Sequence, residues 1–179
     1  MKRNLAVCLF GFFAILLFCG TEVFADANAC LSIEDMRLCG LSLNSRFSYD
    51  DHFPLGEPDG VRQGCIYFDD RQTVVYVPYD TIKSVTTKNK KYSTNKGIKV
   101  GDSVQKLLST YKDIGCYARF TCDDDIFVGD KEKYRGFAFY EYSTKLDNQT
   151  YTLEFAVNSA GSVDFIKLRI AEPNGYRGF

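Results

Sequence analysis

The residues best suited to chemistry are few and scattered. His52 is the single imidazole and follows Asp50 and Asp51. A base flanked by acids could activate a nucleophile, and the thiol of Cys65 and the hydroxyl of Ser103 are the candidates. Neither has an orienting group at a suitable spacing. The plainer readings are a histidine at a surface helix end, a buried thiol, and a serine in the first turn of a helix. Asp123, Asp124, Asp125, Asp130 and Glu132 could attract Ca²⁺, but they lack the alternating Asp-x-Asp-x-Asp-Gly spacing with a closing Glu, so they read as a solvated acidic loop. Gly97-x-x-x-Gly101 lacks the Gly-Lys-Ser/Thr of a phosphate loop. No CxxC pair exists, so a zinc site would have to lean on His52 alone. The sequence therefore predicts no catalytic residue, no metal and no cofactor: the protein is expected not to be an enzyme.

Lys2 and Arg3 precede an apolar run from Leu5 to Cys19, and Val23-Phe24-Ala25 offers a cleavage site. Residues 1–25 thus read as a secretory signal. The apolar run is short for a membrane span, so cleavage is expected over retention as an anchor, with no stable membrane span afterwards. The expected location is outside the cell, in the periplasm or in the envelope. The chain has 22 Lys+Arg and 23 Asp+Glu. Removal of Lys2, Arg3 and Glu22 makes the balance one unit more negative, which argues against a nucleic-acid partner. Cys30, Cys39, Cys65, Cys116 and Cys122 remain in the exported chain. In an oxidising compartment the short-range pairings are Cys30 with Cys39 and Cys116 with Cys122. Cys65 is left over, either inert in the core or paired across chains.

Two stretches of sequence look like copies of one unit. In the second, Ile98 and Val100 alternate with polar residues, and Gly101 breaks the pattern. Asp102 is placed to cap a helix with Gln105 completing the box, and Val104, Leu107, Leu108 and Tyr111 share one helical face. Three strands follow, over 135–143, 150–158 and 162–170. In the first copy, Gly40-Leu41-Ser42-Leu43-Asn44-Ser45 aligns with Gly97-Ile98-Lys99-Val100-Gly101-Asp102. A shorter helix is expected over 46–52, then strands over 63–68, 73–79 and 81–87 around a polar turn at 69–72. Ile82-Lys83-Ser84-Val85 and Ile166-Lys167-Leu168-Arg169 close the two copies alike. The fold expected is α+β: two tandem units, each a short helical segment packed on an antiparallel β-meander. Residues 26–88 and 89–179 would be the two units. The lysine-bearing stretch at 87–95 reads as a solvated linker.

The pattern Gly97-Ile98-x-Val100-Gly101-Asp102-Ser103-x-x-x-Leu107, with its Tyr-ended helix and following strands, resembles a broad bacterial exported superfamily. That superfamily includes the outer-membrane assembly lipoproteins and the β-lactamase inhibitor proteins. The resemblance is strongest at 96–111 and 151–168. It implies the same tandem architecture, with a disulfide in each unit. The chain departs from it at Asn44, where the second copy has Gly101, and in an insertion around 116–133. The fold is what such a likeness implies; inhibition of a lactamase is not.

The aromatic residues supply the functional lead. In Phe137-Ala138-Phe139-Tyr140-Glu141-Tyr142, alternation separates Phe137 and Phe139 from Tyr140 and Tyr142. In the first copy Val75, Val77 and Tyr79 oppose Val74 and Tyr76. A helix covers one sheet face, so Tyr140, Tyr142 and Tyr76 are expected on an open face that meets a protein partner. The plainer alternative is that both faces are buried, or that the tyrosines decorate a solvated sheet. The expected function is a non-enzymatic protein-binding module, inhibitor-like or an envelope scaffold. A small-ligand or envelope-component binder with a cleft between the units, and a carboxylate-based hydrolase, are the alternatives.

Overall fold

The computed structural model describes residues 30–48, 53–120 and 136–171. A 3₁₀ turn at Ile33–Met36 leads into a small hairpin of β1 (Arg37–Leu38) and β2 (Leu41–Ser42). Eight further strands form one sheet: β3 (Gly60–Arg62), β4 (Cys65–Phe68), β5 (Thr73–Tyr76), β6 (Ser84–Thr87), β7 (Cys116–Phe120), β8 (Ala138–Leu146), β9 (Gln149–Val157) and β10 (Val163–Ala171). Their order is β3-β4-β5-β6-β10-β9-β8-β7, and every pairing is antiparallel. Two meanders thus join through their last strands. The segments that close them alike in sequence lie side by side, with Val85 opposite Leu168.

Among the described residues one α-helix, α1 (Val104–Thr110), packs on this sheet. Ser103 caps it, its hydroxyl accepting from the Lys106 N–H at 3.2 Å. Asp102, the expected cap, instead accepts from the Lys99 N–H at 2.8 Å and from Lys106 Nζ at 2.8 Å. Leu107 and Tyr111 enter the core, and Leu108 stays 42% exposed.

The expected α+β fold of two tandem helix-plus-sheet units is therefore corrected. The described residues are mostly β, with one α-helix serving one continuous eight-stranded sheet. The first meander has no helix of its own among the described residues. Where a helix is expected from Arg46, the backbone runs extended: Arg46 bridges Thr81, and the Phe47 N–H donates to the Asp80 carbonyl at 2.8 Å. Residues 49–52 of that expected helix lie outside the described residues. The β1–β2 hairpin and the side chains of Phe47 and Phe53 cover the first meander instead, Phe53 meeting Phe68 at 5.4 Å between ring centroids.

Two strands of the eight-stranded sheet escape the sequence reading. β3 is only three residues long. β7 falls in the stretch read as an insertion, yet it pairs along its whole length with β8. The longest hairpin, β8 with β9, keeps unbroken register from Ala138 opposite Val157 to Leu146 opposite Gln149. Asp147 and Asn148 turn it with φ of 48° and 62°, the conformation of a two-residue type I′ turn.

Candidate binding face

The sheet has one face under α1 and one away from it. Under the helix, Tyr142, Phe155, Leu153, Val157, Ile166 and Leu168 form the core with Leu107, Tyr111 and Ile98. Tyr111 meets Tyr142 at 4.8 Å and Phe155 at 5.5 Å. The Tyr111 hydroxyl donates to Thr94 Oγ1 at 3.0 Å, which satisfies a buried polar group. Burial raises the phenols of both Tyr111 and Tyr142 above their ordinary range.

This geometry places the three proposed tyrosines differently. Alternation does separate Tyr140 and Tyr142 from Phe139, but the helix covers the tyrosine side. Tyr142 is 1% exposed, and Tyr140 is half-buried against the same core. Neither lies on an open face. Phe139 lies on the far side with Phe165, 6.0 Å away, Ala156 and Phe137. Tyr76 does lie on the face away from the helix, half-buried. Tyr76 packs over the β3–β4 turn, where an added Cβ on Gly64 would lie 3.4 Å from the ring.

The far face can be read across the strands from their register. One row runs Glu141, Glu154, Lys167, Thr86, Val74, Tyr67. The next runs Ser143, Thr152, Arg169, Ser84, Tyr76, Cys65, Arg62. Acids occupy β8 and β9, bases β10, hydroxyls β6, and aromatic rings β4 and β5. Glu141 and Glu154 stand directly opposite each other, a like-charge pairing that costs stability unless cations answer it. Arg169 does so diagonally, reaching Glu141 at 3.3 Å in a largely buried ion pair. Lys167 stands directly across from Glu154. Ser143 and Thr152 share a hydrogen bond at 3.0 Å. Sequence reading missed this belt because its members are spread over residues 62–169 and only the register assembles them.

The cysteines give a plain answer where they are described. Cys30, Cys39, Cys65 and Cys116 are free thiols, Cys30 exposed and Cys39 buried. Burial pushes the Cys39 thiol up to about 12, against a hydrogen bond from Thr87 that pulls it down. A thiol so protonated is a poor nucleophile. Burial also raises Cys65, partly opposed by the charge of Lys167. Cys122, the expected partner of Cys116, lies outside the described residues. So do His52 and the acidic residues from Asp123 to Glu132.

A cleft of about 340 Å³ opens on the other side of the first meander, lined by Leu41, Ser42, Arg46, Phe47, Phe53 and Ile82 among others. It lies within the first half of the chain and not between the two halves. Among the described residues, no helix is long and apolar enough to cross a membrane.

Among the described residues, these features define an eight-stranded antiparallel sheet and a small two-stranded hairpin, backed by one short α-helix, with a polar-aromatic face turned away from it. No family model, curated protein or solved structure matches the chain.

Proposed function

We propose that this is an exported, non-enzymatic protein-binding module that uses the sheet face away from α1. The observation that carries the reading is the juxtaposition of half-buried Tyr67, Val74 and Tyr76 with the Glu141 and Arg169 pair on one continuous face, beside the buried Glu154, Lys167 and Ser84. Tyrosine contributes large contact area with a polar tip, and an adjoining belt of mixed charge gives orientation and selectivity. The reading keeps the expected binder and relocates its surface from Tyr140 and Tyr142 to the strip around Tyr76. Residues 1–25 supply the argument for export.

A carboxylate hydrolase would draw on Glu141 and Glu154. Glu141 pairs with Arg169 and Lys167 stands across the register from Glu154, on a face and not in a described cleft, which favours the binding role.

The test is affinity capture from the envelope and medium of the producing cell with the wild-type chain and with Tyr67→Ala/Tyr76→Ala. The expected result is a protein retained by the wild type and lost by the variant, whose circular dichroism matches wild type. Retention that survives the double substitution overturns this face as the binding surface.

A further inference from the structure

We infer that the chain associates with a second copy of itself, each copy seating Tyr79 in the cleft of the other across a two-fold axis. The knob is the turn at 78–81. The Thr81 N–H donates to the Pro78 carbonyl at 3.2 Å, and the two central residues, Tyr79 and Asp80, both have left-handed φ, 53° and 58°. This is a type I′ turn, whose central positions select Asn and Gly. A tyrosine in the first of them is strained, because its Cβ crowds the backbone. Packing inside the chain offsets none of that strain, since Tyr79 is 99% exposed. The fold uses the backbone of this turn but not the ring, and a tyrosine kept at a strained position where its side chain packs against nothing in the chain points to a use outside the fold.

The hole lies next to the knob. Residues 44–47 run antiparallel to 80–82: the Asn44 N–H donates to the Ile82 carbonyl at 2.8 Å, the Ile82 N–H to the Ser45 carbonyl at 3.0 Å, and the Phe47 N–H to the Asp80 carbonyl at 2.8 Å. The same strip forms a wall of the 340 Å³ cleft, whose apolar lining includes Leu41, Phe47, Phe53 and Ile82 and whose cation is Arg46. An aromatic ring suits such a lining, and a guanidinium beside it favours the ring face.

A protrusion and a recess set side by side on one patch are what a two-fold pair requires, because each copy then offers what the other lacks. Charge agrees with shape. Asp80 flanks the knob and Arg46 the hole, and neither forms an ion pair among the described residues. Exchange of knobs brings Asp80 of each copy to Arg46 of the other.

Sedimentation of the purified chain across a range of concentrations tests this directly. The expected result is a concentration-dependent dimer, weakened at least about 20-fold by Tyr79→Gly. Glycine accepts the left-handed turn, so the same variant should melt about 2–4 °C higher at concentrations where both proteins are monomeric. Gain of stability with loss of association distinguishes a docking residue from a structural one. Asp80→Asn and Arg46→Gln should each weaken the dimer several-fold, and the double substitution should cost little more than either alone. A wild-type chain that stays monomeric at all concentrations overturns the proposal. So does a dimer indifferent to Tyr79→Gly, or one in which the Asp80 and Arg46 effects simply add.

Discussion

The two faces of the sheet meet within a single strand. On β8, Tyr142 turns under the helix and is sealed by Tyr111 and Phe155. Its neighbour Glu141 turns the other way and pairs with Arg169. One face is held by ring packing between distant segments, and the other by charges set in register beside a smaller cluster around Phe139 and Phe165. Period-two alternation shows which side chains share a face. It does not show which face a helix will cover, because that depends on where the chain crosses after residue 111. Aromatic residues stand on both sides here, Tyr140 and Tyr142 on one and Phe137 and Phe139 on the other, so composition does not break the tie.

The comparison is broken most forcefully at Tyr142. If it were a surface residue, its removal would be nearly silent. As a ring 1% exposed, its truncation in Tyr142→Ala should cost about 3–5 kcal/mol. Equilibrium denaturation reads the difference, and a loss below about 1 kcal/mol would return Tyr142 to the open face.

The helix offers a paired test a step smaller. Leu107 is fully buried and Leu108 is 42% exposed, though both belong to the apolar stripe read from sequence. Leu107→Ala should cost about 2–4 kcal/mol, and Leu108→Ala well under about 1 kcal/mol. Equal losses would mean that α1 lies rotated on the sheet. The helix itself is legible because its periodicity, cap and following glycine are all local. Its N-cap is misread by one residue because Asp102 and Ser103 are both good caps, and Asp102 is drawn to Lys99 and Lys106.

The second expected helix illustrates the opposite case. Its flanking aromatics are Phe47 and Phe53, and both do reach the core. Phe47 does so from an extended backbone that bonds to 80–82, a non-local partner that no short window contains. In the same way, the likeness between 82–85 and 166–169 is real as sequence. Its structural expression is direct pairing of β6 with β10 inside one sheet, and not two independent units.

Asp69 sharpens the comparison through pH. It turns the β4–β5 hairpin with φ of 56° and accepts from Lys91 Nζ, from the Tyr92 hydroxyl at 2.9 Å and from Thr73 Oγ1 at 3.3 Å. Burial alone would raise its carboxyl, but these donors outweigh burial and hold it below the ordinary range. Folding therefore favours the ionised form. The stabilisation is complete above the unfolded value, near ~3.9, and is lost as pH falls through the lower, folded value. Asp69→Asn should cost about 1 kcal/mol at neutral pH, because Lys91 is half exposed and screened. The variant should also denature less steeply than wild type below about pH 4. Acid titrations of the two proteins that run parallel would mean that this carboxylate does not anchor the 88–92 segment to the sheet.

The smallest expected effect on stability is the most telling for function. Tyr76 occupies the far face, half-buried, with one side of its ring resting over Gly64 in the β3–β4 turn. Its strand neighbours across the register, Cys65 and Ser84, are small side chains, and both are buried. Tyr76→Ala removes a half-buried ring, where Tyr142→Ala removes one sealed in the core. The loss should be about 1 kcal/mol or less, against about 3–5 kcal/mol for Tyr142→Ala in the same sheet. Two tyrosines that look alike in sequence, each in an alternating aromatic strand, would then differ several-fold in what they hold together. A Tyr76→Ala chain that loses as much stability as Tyr142→Ala would mean that the far face is also core, and the distinction between a structural face and a binding face would disappear.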